Sequence, residues 1–136
     1  MSDTRTGHIA IDLGRRRVGI AVSGPGGVAL PHGVIDGRDR HALIEQLARL
    51  ARERDADFVV GLPRELDGRE RRPAADARAF ARTLERVSGR RVHLQDETLT
   101  TAEAQRLAQA AGRKPRDPID DIAAQQILIE FLATQR

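Results

Sequence analysis

Three acidic places in this chain sit where a charge needs a reason. Asp12 interrupts an apolar, β-rich run, Gly7-His-Ile-Ala-Ile-Asp-Leu-Gly14. An unpaired carboxylate buried there is costly, and the cheapest compensation is a cation held over it. Asp96-Glu97 follows a second β-rich stretch, Arg91 to Gln95, just ahead of a helix signal. Asp117 and Asp120-Asp121 open the last helical stretch. Hard divalent cations take oxygen ligands, and Mg²⁺ typically uses one or two carboxylates while keeping waters to share with phosphate. Clustered carboxylates repel one another, so without a cation one of them tends to stay protonated. Two such ions roughly 3.5–4 Å apart activate water and stabilise the leaving oxygen in phosphodiester hydrolysis.

Each acid also has a plainer role open to it. Asp96 can cap the turn before the helix. Asp117 reads as a helix N-cap, with Pro118 at the first helical position. It stands three residues before Asp120, so one turn could present both carboxylates together. Asp120 and Asp121 could be surface charges that complement the helix dipole. Against that, Ala123-Ala124 one turn later would let this helix end approach a sheet closely and bring Asp120 with it. His8, His32, His41 and His93 are scattered and form no rival ligand set. With no cysteine in the chain, disulfides and thiolate-bound zinc are excluded.

The elements that must position these residues follow from periodicity. Residues 8–12, 17–23 and 28–35 read as three strands, joined by turns at Gly14-Arg-Arg-Arg17 and Gly24-Pro-Gly-Gly27. From Asp39 to Arg54, Leu43, Ile44, Leu47, Leu50 and Ala51 mark one helical face. Phe58-Val-Val60 is a short apolar strand of the buried parallel type, ending in Gly61-Leu-Pro63. A polar, arginine-bearing loop covers Arg64 to Pro73. Ala77, Phe80, Ala81, Leu84 and Val87 predict a second helix, stopped by Gly89. Arg91 to Gln95 is the fifth strand. Thr100-Thr-Ala-Glu103 has capping-box spacing and opens a third helix, ending at Gly112. The fourth runs from Asp117-Pro118 to about Thr134. This order, three antiparallel strands and then right-handed crossovers, predicts an α/β fold of ribonuclease H-like type. Its mixed five-stranded sheet would be flanked by helices and formed by residues 1–136 as one domain.

Composition narrows the partners. The 136 residues carry a formal charge of +3, with a pI near 10.7, because Lys114 is the sole lysine among many arginines. Arginine forks onto phosphate in a bidentate way that lysine cannot match. With no Trp or Tyr, base stacking is an unpromising mode, so a nucleic acid would be held by backbone and shape. No apolar run reaches membrane-spanning length and the N-terminus does not read as a signal peptide, so a cytoplasmic protein is expected.

These motifs together resemble the YqgF family of RuvC-like Holliday junction resolvase homologues, also viewed as pre-16S ribosomal RNA nucleases. Asp12-Leu-Gly14 through Arg17-Val-Gly-Ile-Ala-Val-Ser23 is similar to the family's opening hairpin. Gly61-Leu-Pro63 with Asp67-Gly68 is similar to its loop after the fourth strand. Asp96-Glu97-Thr98-Leu-Thr100 resembles its Asp-Glu-Arg-Leu-Thr motif, and Ile119-Asp120-Asp-Ile-Ala-Ala124 its final Asp-x-x-Ala-Ala helix. The resemblance implies that Asp12, Glu97 and Asp120 are catalytic and metal-binding; Asp117, one turn before Asp120, is an added candidate metal ligand by its spacing alone. It implies dependence on Mg²⁺ or Mn²⁺ and a role in maturation of a ribosomal RNA precursor or in processing branched DNA. Thr98 stands where the family has arginine. Another cation must then meet the phosphate at the cut; Arg15, Arg16 and the 113–116 loop are the choices. The basic residues of 15–17, 64–72 and 113–116 are expected along the bound backbone, single-stranded or branched, with Arg15, Arg16, Arg64, Arg113, Lys114 and Arg116 foremost. The protein would act as a monomer or a homodimer. A non-cutting binding module of the same fold is the alternative. A sugar-kinase-like phosphotransferase, which also uses an Asp-x-Gly hairpin, would need two such domains.

Overall fold

A computed structural model describes residues 6–63, 72–97, 101–114 and 117–135, with the backbone alone described at Arg72 and Thr101. Strands β1 (Gly7–Leu13), β2 (Arg17–Ser23) and β3 (Ala29–Asp36) precede helix α1 (Arg40–Arg54). Strand β4 (Ala56–Pro63), helix α2 (Arg72–Ser88) and strand β5 (Val92–Glu97) follow, then helices α3 (Thr101–Ala110) and α4 (Asp120–Ala133). The sheet order is β3-β2-β1-β4-β5. β1 pairs antiparallel with β2, and β2 with β3, whereas β4 lies parallel to both β1 and β5. This is the expected mixed sheet.

Strand alternation sorts the sheet into two faces. Ile9, Ile11, Val18, Ile20, Phe58, Val60 and Leu62 join residues of α1 and α2 in the larger core. Each such side chain contributes about 1.5–3 kcal/mol when fully buried. The opposite face is thin: Ala10, Ala21 and Val59 meet Ala124, Ile127, Leu128 and Phe131 of α4. Small strand residues there let one helix lie close against the sheet. The α4 helix is tied at the sheet edge as well, where the Gln125 side chain donates to the Ala29 carbonyl at 3.0 Å.

Several boundaries differ from expectation. β4 runs on through Gly61-Leu62-Pro63, and β5 includes Asp96 and Glu97, so Glu97 closes the strand rather than following it. Asp39, expected as the first helical residue, is instead the N-cap of α1, accepting from the Ala42 amide at 3.1 Å. The last helix is the main correction. It begins at Asp120, with Ile119 in the capping position and no side-chain cap, so Asp117 is not its N-cap and Pro118 is not its first residue. The Asp117 carboxylate turns backwards to accept the Lys114 amide at 2.8 Å, while its own amide donates to the Lys114 carbonyl at 3.0 Å. Such local side-chain turns compete directly with helix capping. Arg64 and the rest of the 64–71 loop, Thr98, Thr100 and Arg116 lie outside the described residues.

Candidate active site

Asp12, Glu97 and Asp120 reach one place from three elements. Asp12 lies opposite Gly19 across the β1–β2 ladder, and Glu97 ends β5 beside Pro63 of β4. Asp120 starts α4, which lies over the same face of the sheet. The helix end can come this close because residue 19 has no side chain. A Cβ there would overlap the Asp120 carbonyl and stand 2.8 Å from the Asp121 amide nitrogen. Gly61 plays a similar part: a Cβ would overlap the tip of Ile127 and lie 3.5 Å from Cγ of Glu97. Ala124 is buried against the sheet as its size suggested, but the closest approach is at Gly19, which the sequence reading passed over.

The charges gathered there perturb one another. Burial foremost, then the neighbouring Glu97 charge, a hydrogen bond with Glu97 and the Asp120 charge push the Asp12 carboxyl up to about 8. Burial also raises Glu97, although its hydrogen bond with Asp12 works the other way. One proton therefore rests on Asp12 and is shared toward Glu97. Asp120 faces a cation instead: Arg17 Nε lies 3.2 Å from its Oδ2. Yet that buried oxygen receives no hydrogen bond. The two observations fit an ion pair whose N–H is not aimed at the oxygen.

This donor set suits a hard divalent cation. It offers three carboxylates, a proton that cation binding would displace and a buried oxygen without a hydrogen bond. Among the described residues no three acidic or histidine side chains already stand as a finished cage. Asp12 and Glu97 are hydrogen-bonded to each other, and Asp120 is turned to Arg17. Asp117 is exposed on the turn before α4, its carboxylate occupied by the Lys114 amide.

The basic residues divide. Arg15 and Arg16 are exposed on the β1–β2 turn beside the acids. That turn is pinned from outside: Arg40 Nη2 donates to the Gly14 carbonyl at 3.1 Å, and the Gly37 amide donates to the Arg16 carbonyl at 2.7 Å. Lys114 is exposed. Arg113, expected at the backbone, grips Asp121 in a bidentate pair at 2.6 and 2.9 Å and also donates to the Pro118 carbonyl at 2.8 Å. Asp121 is correspondingly buried, not a surface charge. The pair fastens the α3–α4 connection to the start of α4. At the far end of α4, His8 and His93 are neighbours, with ring centroids 5.9 Å apart, and Phe131 packs against both at 5.1 and 4.8 Å.

With this geometry in view, comparison with known proteins is decisive. The family model described as "RuvX: Holliday junction resolvase" matches residues 7–134. The chain belongs to that family. A relative in Frankia casuarinae is 42% identical over 136 residues, covering 95% of this chain and 67% of its own length. Another in Maridesulfovibrio salexigens is 36% identical over 130 residues, covering 92% and 96%. Both bear the name "Putative pre-16S rRNA nuclease". Among solved structures, Thermus thermophilus RuvC shares the fold of this RuvX-family chain, with a TM-score of 0.57 at 13% identity and 96% of each chain covered. The same protein in complex with a Holliday junction substrate gives 0.58 at 14% identity, covering 96% of this chain and 95% of that one. The ribonuclease H-like expectation and the family resemblance both hold.

Proposed function

We propose that this protein hydrolyses phosphodiester bonds in nucleic acid at the Asp12–Glu97–Asp120 pocket. The observation that carries the reading is convergence. Three acids far apart in sequence meet in one place, where burial first and then the Glu97 and Asp120 charges push the Asp12 carboxyl up to about 8. A fold does not gather such charges for stability. Asp12, Glu97 and Asp120 would hold Mg²⁺ or Mn²⁺, and Asp117, occupied by the Lys114 amide, would stay outside. The chemistry such a cation supplies is Lewis acidity toward water and toward the phosphate oxygens.

The chain's own residues do the remainder. Asp12 gives up its proton as the pocket fills, so apparent cation affinity rises with pH until Asp12 is ionised. Arg15, Arg16 and Lys114, with Arg64 and Arg116 as further members, hold the backbone, and binding weakens steeply with salt. The names of the relatives favour a 16S ribosomal RNA precursor as substrate and a cytoplasmic setting. The family description keeps a four-way DNA junction in view, and symmetric cutting of such a junction requires a two-fold dimer. Among the described residues no helix is long and apolar enough to cross a membrane.

One panel tests the reading. Pure protein with Mn²⁺ or Mg²⁺ is offered single-stranded RNA, single-stranded DNA and a four-way junction, with Asp12→Asn alongside. Cleavage by wild type and none by the variant is expected. Binding without cleavage by either would favour the non-cutting module.

A further inference from the structure

Position 98 lacks the arginine that the family resemblance places beside the acids, and Arg113 is committed to Asp121. The pocket still needs a cation on the side from which a phosphate arrives. Arg17 is placed to be that cation. It is the first residue of β2, and strand alternation puts it on the same face as Gly19 and Ala21, beneath the start of α4. Its Nε stands 3.2 Å from Asp120 Oδ2, yet its side chain is 64% exposed. With Nε turned to Asp120 and the side chain mostly exposed, the other edge of the guanidinium is left for phosphate oxygens, with no hydrogen bond seen from it among the described residues. The pinned β1–β2 turn delivers it from a fixed backbone.

We propose that Arg17 contacts the backbone phosphate at the cut and that Asp120 sets its position. This rests on the nuclease reading but assigns a substrate contact that reading does not contain. A planar guanidinium held at one edge by a carboxylate and free at the other meets a phosphate bidentately, which a lysine cannot do. The same ion pair keeps Arg17 over the acids rather than swinging in solvent.

The test compares Arg17→Ala and Arg17→Lys with Arg52→Ala, an exposed arginine on α1 at the opposite face of the sheet. Affinity for a fluorescein-labelled single-stranded RNA is measured in EDTA across a salt series, and cleavage of the same RNA with Mn²⁺. For Arg17→Ala the slope of log affinity against log salt should shrink by about 0.7, the value of one lost single-strand phosphate contact. Cleavage should fall on the order of 100-fold, as for loss of one electrostatic donor. Arg17→Lys should keep most of the slope and recover only part of the cleavage, while Arg52→Ala matches wild type. Thermal melting of Arg17→Ala should stay near wild type, because the side chain is exposed. A slope unchanged in Arg17→Ala overturns the proposal, even if cleavage falls, since Arg17 would then serve Asp120 alone. Absence of cleavage by wild type would instead remove the nuclease reading, and the salt slope would still decide the phosphate contact.

Discussion

Gly19→Ala is the sharpest perturbation the structure offers, because it adds one methyl group and no charge. The new Cβ would overlap the Asp120 carbonyl and lie 2.8 Å from the Asp121 nitrogen. Ordinary non-bonded contact needs about 3.5 Å. Both atoms it meets are backbone, so no side-chain rotation relieves the clash. The start of α4 must back away by roughly an ångström or more, or the centre of β2 must bow. Overpacking of this kind costs about 1–3 kcal/mol of stability. The larger effect is on chemistry. Asp12 stands directly across the ladder from Gly19, so the displacement falls almost wholly on the Asp12–Asp120 separation. Misplacement by about 1 Å costs on the order of 100-fold in rate. Cleavage with saturating RNA and Mn²⁺ should fall by that factor, and Mn²⁺ affinity measured by calorimetry should weaken with it. Circular dichroism should still show a folded protein. If Gly19→Ala folds, binds Mn²⁺ as wild type does and cleaves within about twofold of it, Gly19 does not set the position of Asp120 and the account of the pocket is wrong.

Other outcomes follow from the same geometry. The Asp12 carboxyl, with its folded value raised from 3.8 to about 8, keeps its proton in the folded state where the unfolded chain has lost it. In EDTA, its contribution to stability is therefore lost progressively as pH rises from about 4 to about 8; Asp12→Asn should flatten that decline, melt higher than wild type at pH 8 and gain little on addition of Mn²⁺. His8 and His93 run the opposite way, since burial lowers both below 6.5. Their contribution is intact above that value and lost as pH falls below it, and His8→Gln with His93→Gln should lessen the acid-side drop in melting temperature. Arg113→Ala leaves Asp121 buried and unpaired, at a cost of about 3–5 kcal/mol in urea denaturation. Removing both partners together should be much milder, and an equal loss in the double variant would argue against a direct pair.

The sheet was legible because its signals repeat. The larger core follows the two-residue alternation of β1 and β2 and the helical periodicity of α1. Asp12 was legible because a carboxylate inside an apolar strand has few structural uses. The start of α4 was misread for a physical reason: Asp117-Pro118 has the local chemistry of a helix entry, but its carboxylate found a nearer amide at Lys114. Asp121 was misread because neighbours on a helix diverge by about 100°, which separates the pocket carboxylate from the buried one by a single residue. Nothing local to Arg113 announces a partner eight positions away. Gly19 carried a usable signal that its sequence context did not bring out, and Arg17 stood out only as one of a run of backbone-holding arginines. A glycine within a strand often marks close approach of another backbone, and hairpin register with period two would have set 17 and 19 on the face of Asp12.

The division of the sheet into a thick face and a thin one explains why such a pocket can exist at all. Repelling carboxylates oppose folding, and the α1–α2 side supplies the apolar burial that offsets them. Asp12 and Glu97 ride on that well-anchored sheet. Asp120 does not; it rides on α4, whose seat is built from alanines, glycines and a few polar ties. The geometry of the pocket is therefore set by how α4 docks. The Gln125 bond to the Ala29 carbonyl, the Arg113–Asp121 pair and the close pass over Gly19 all act on that docking. Substitutions at any of them should degrade cation binding and cleavage in proportion to how far they move the first turn of α4. Enlargements confined to the exposed face of α1 should leave both untouched. That asymmetry distinguishes a pocket assembled by helix docking from one prebuilt in the sheet, where only changes in β1 and β5 would matter.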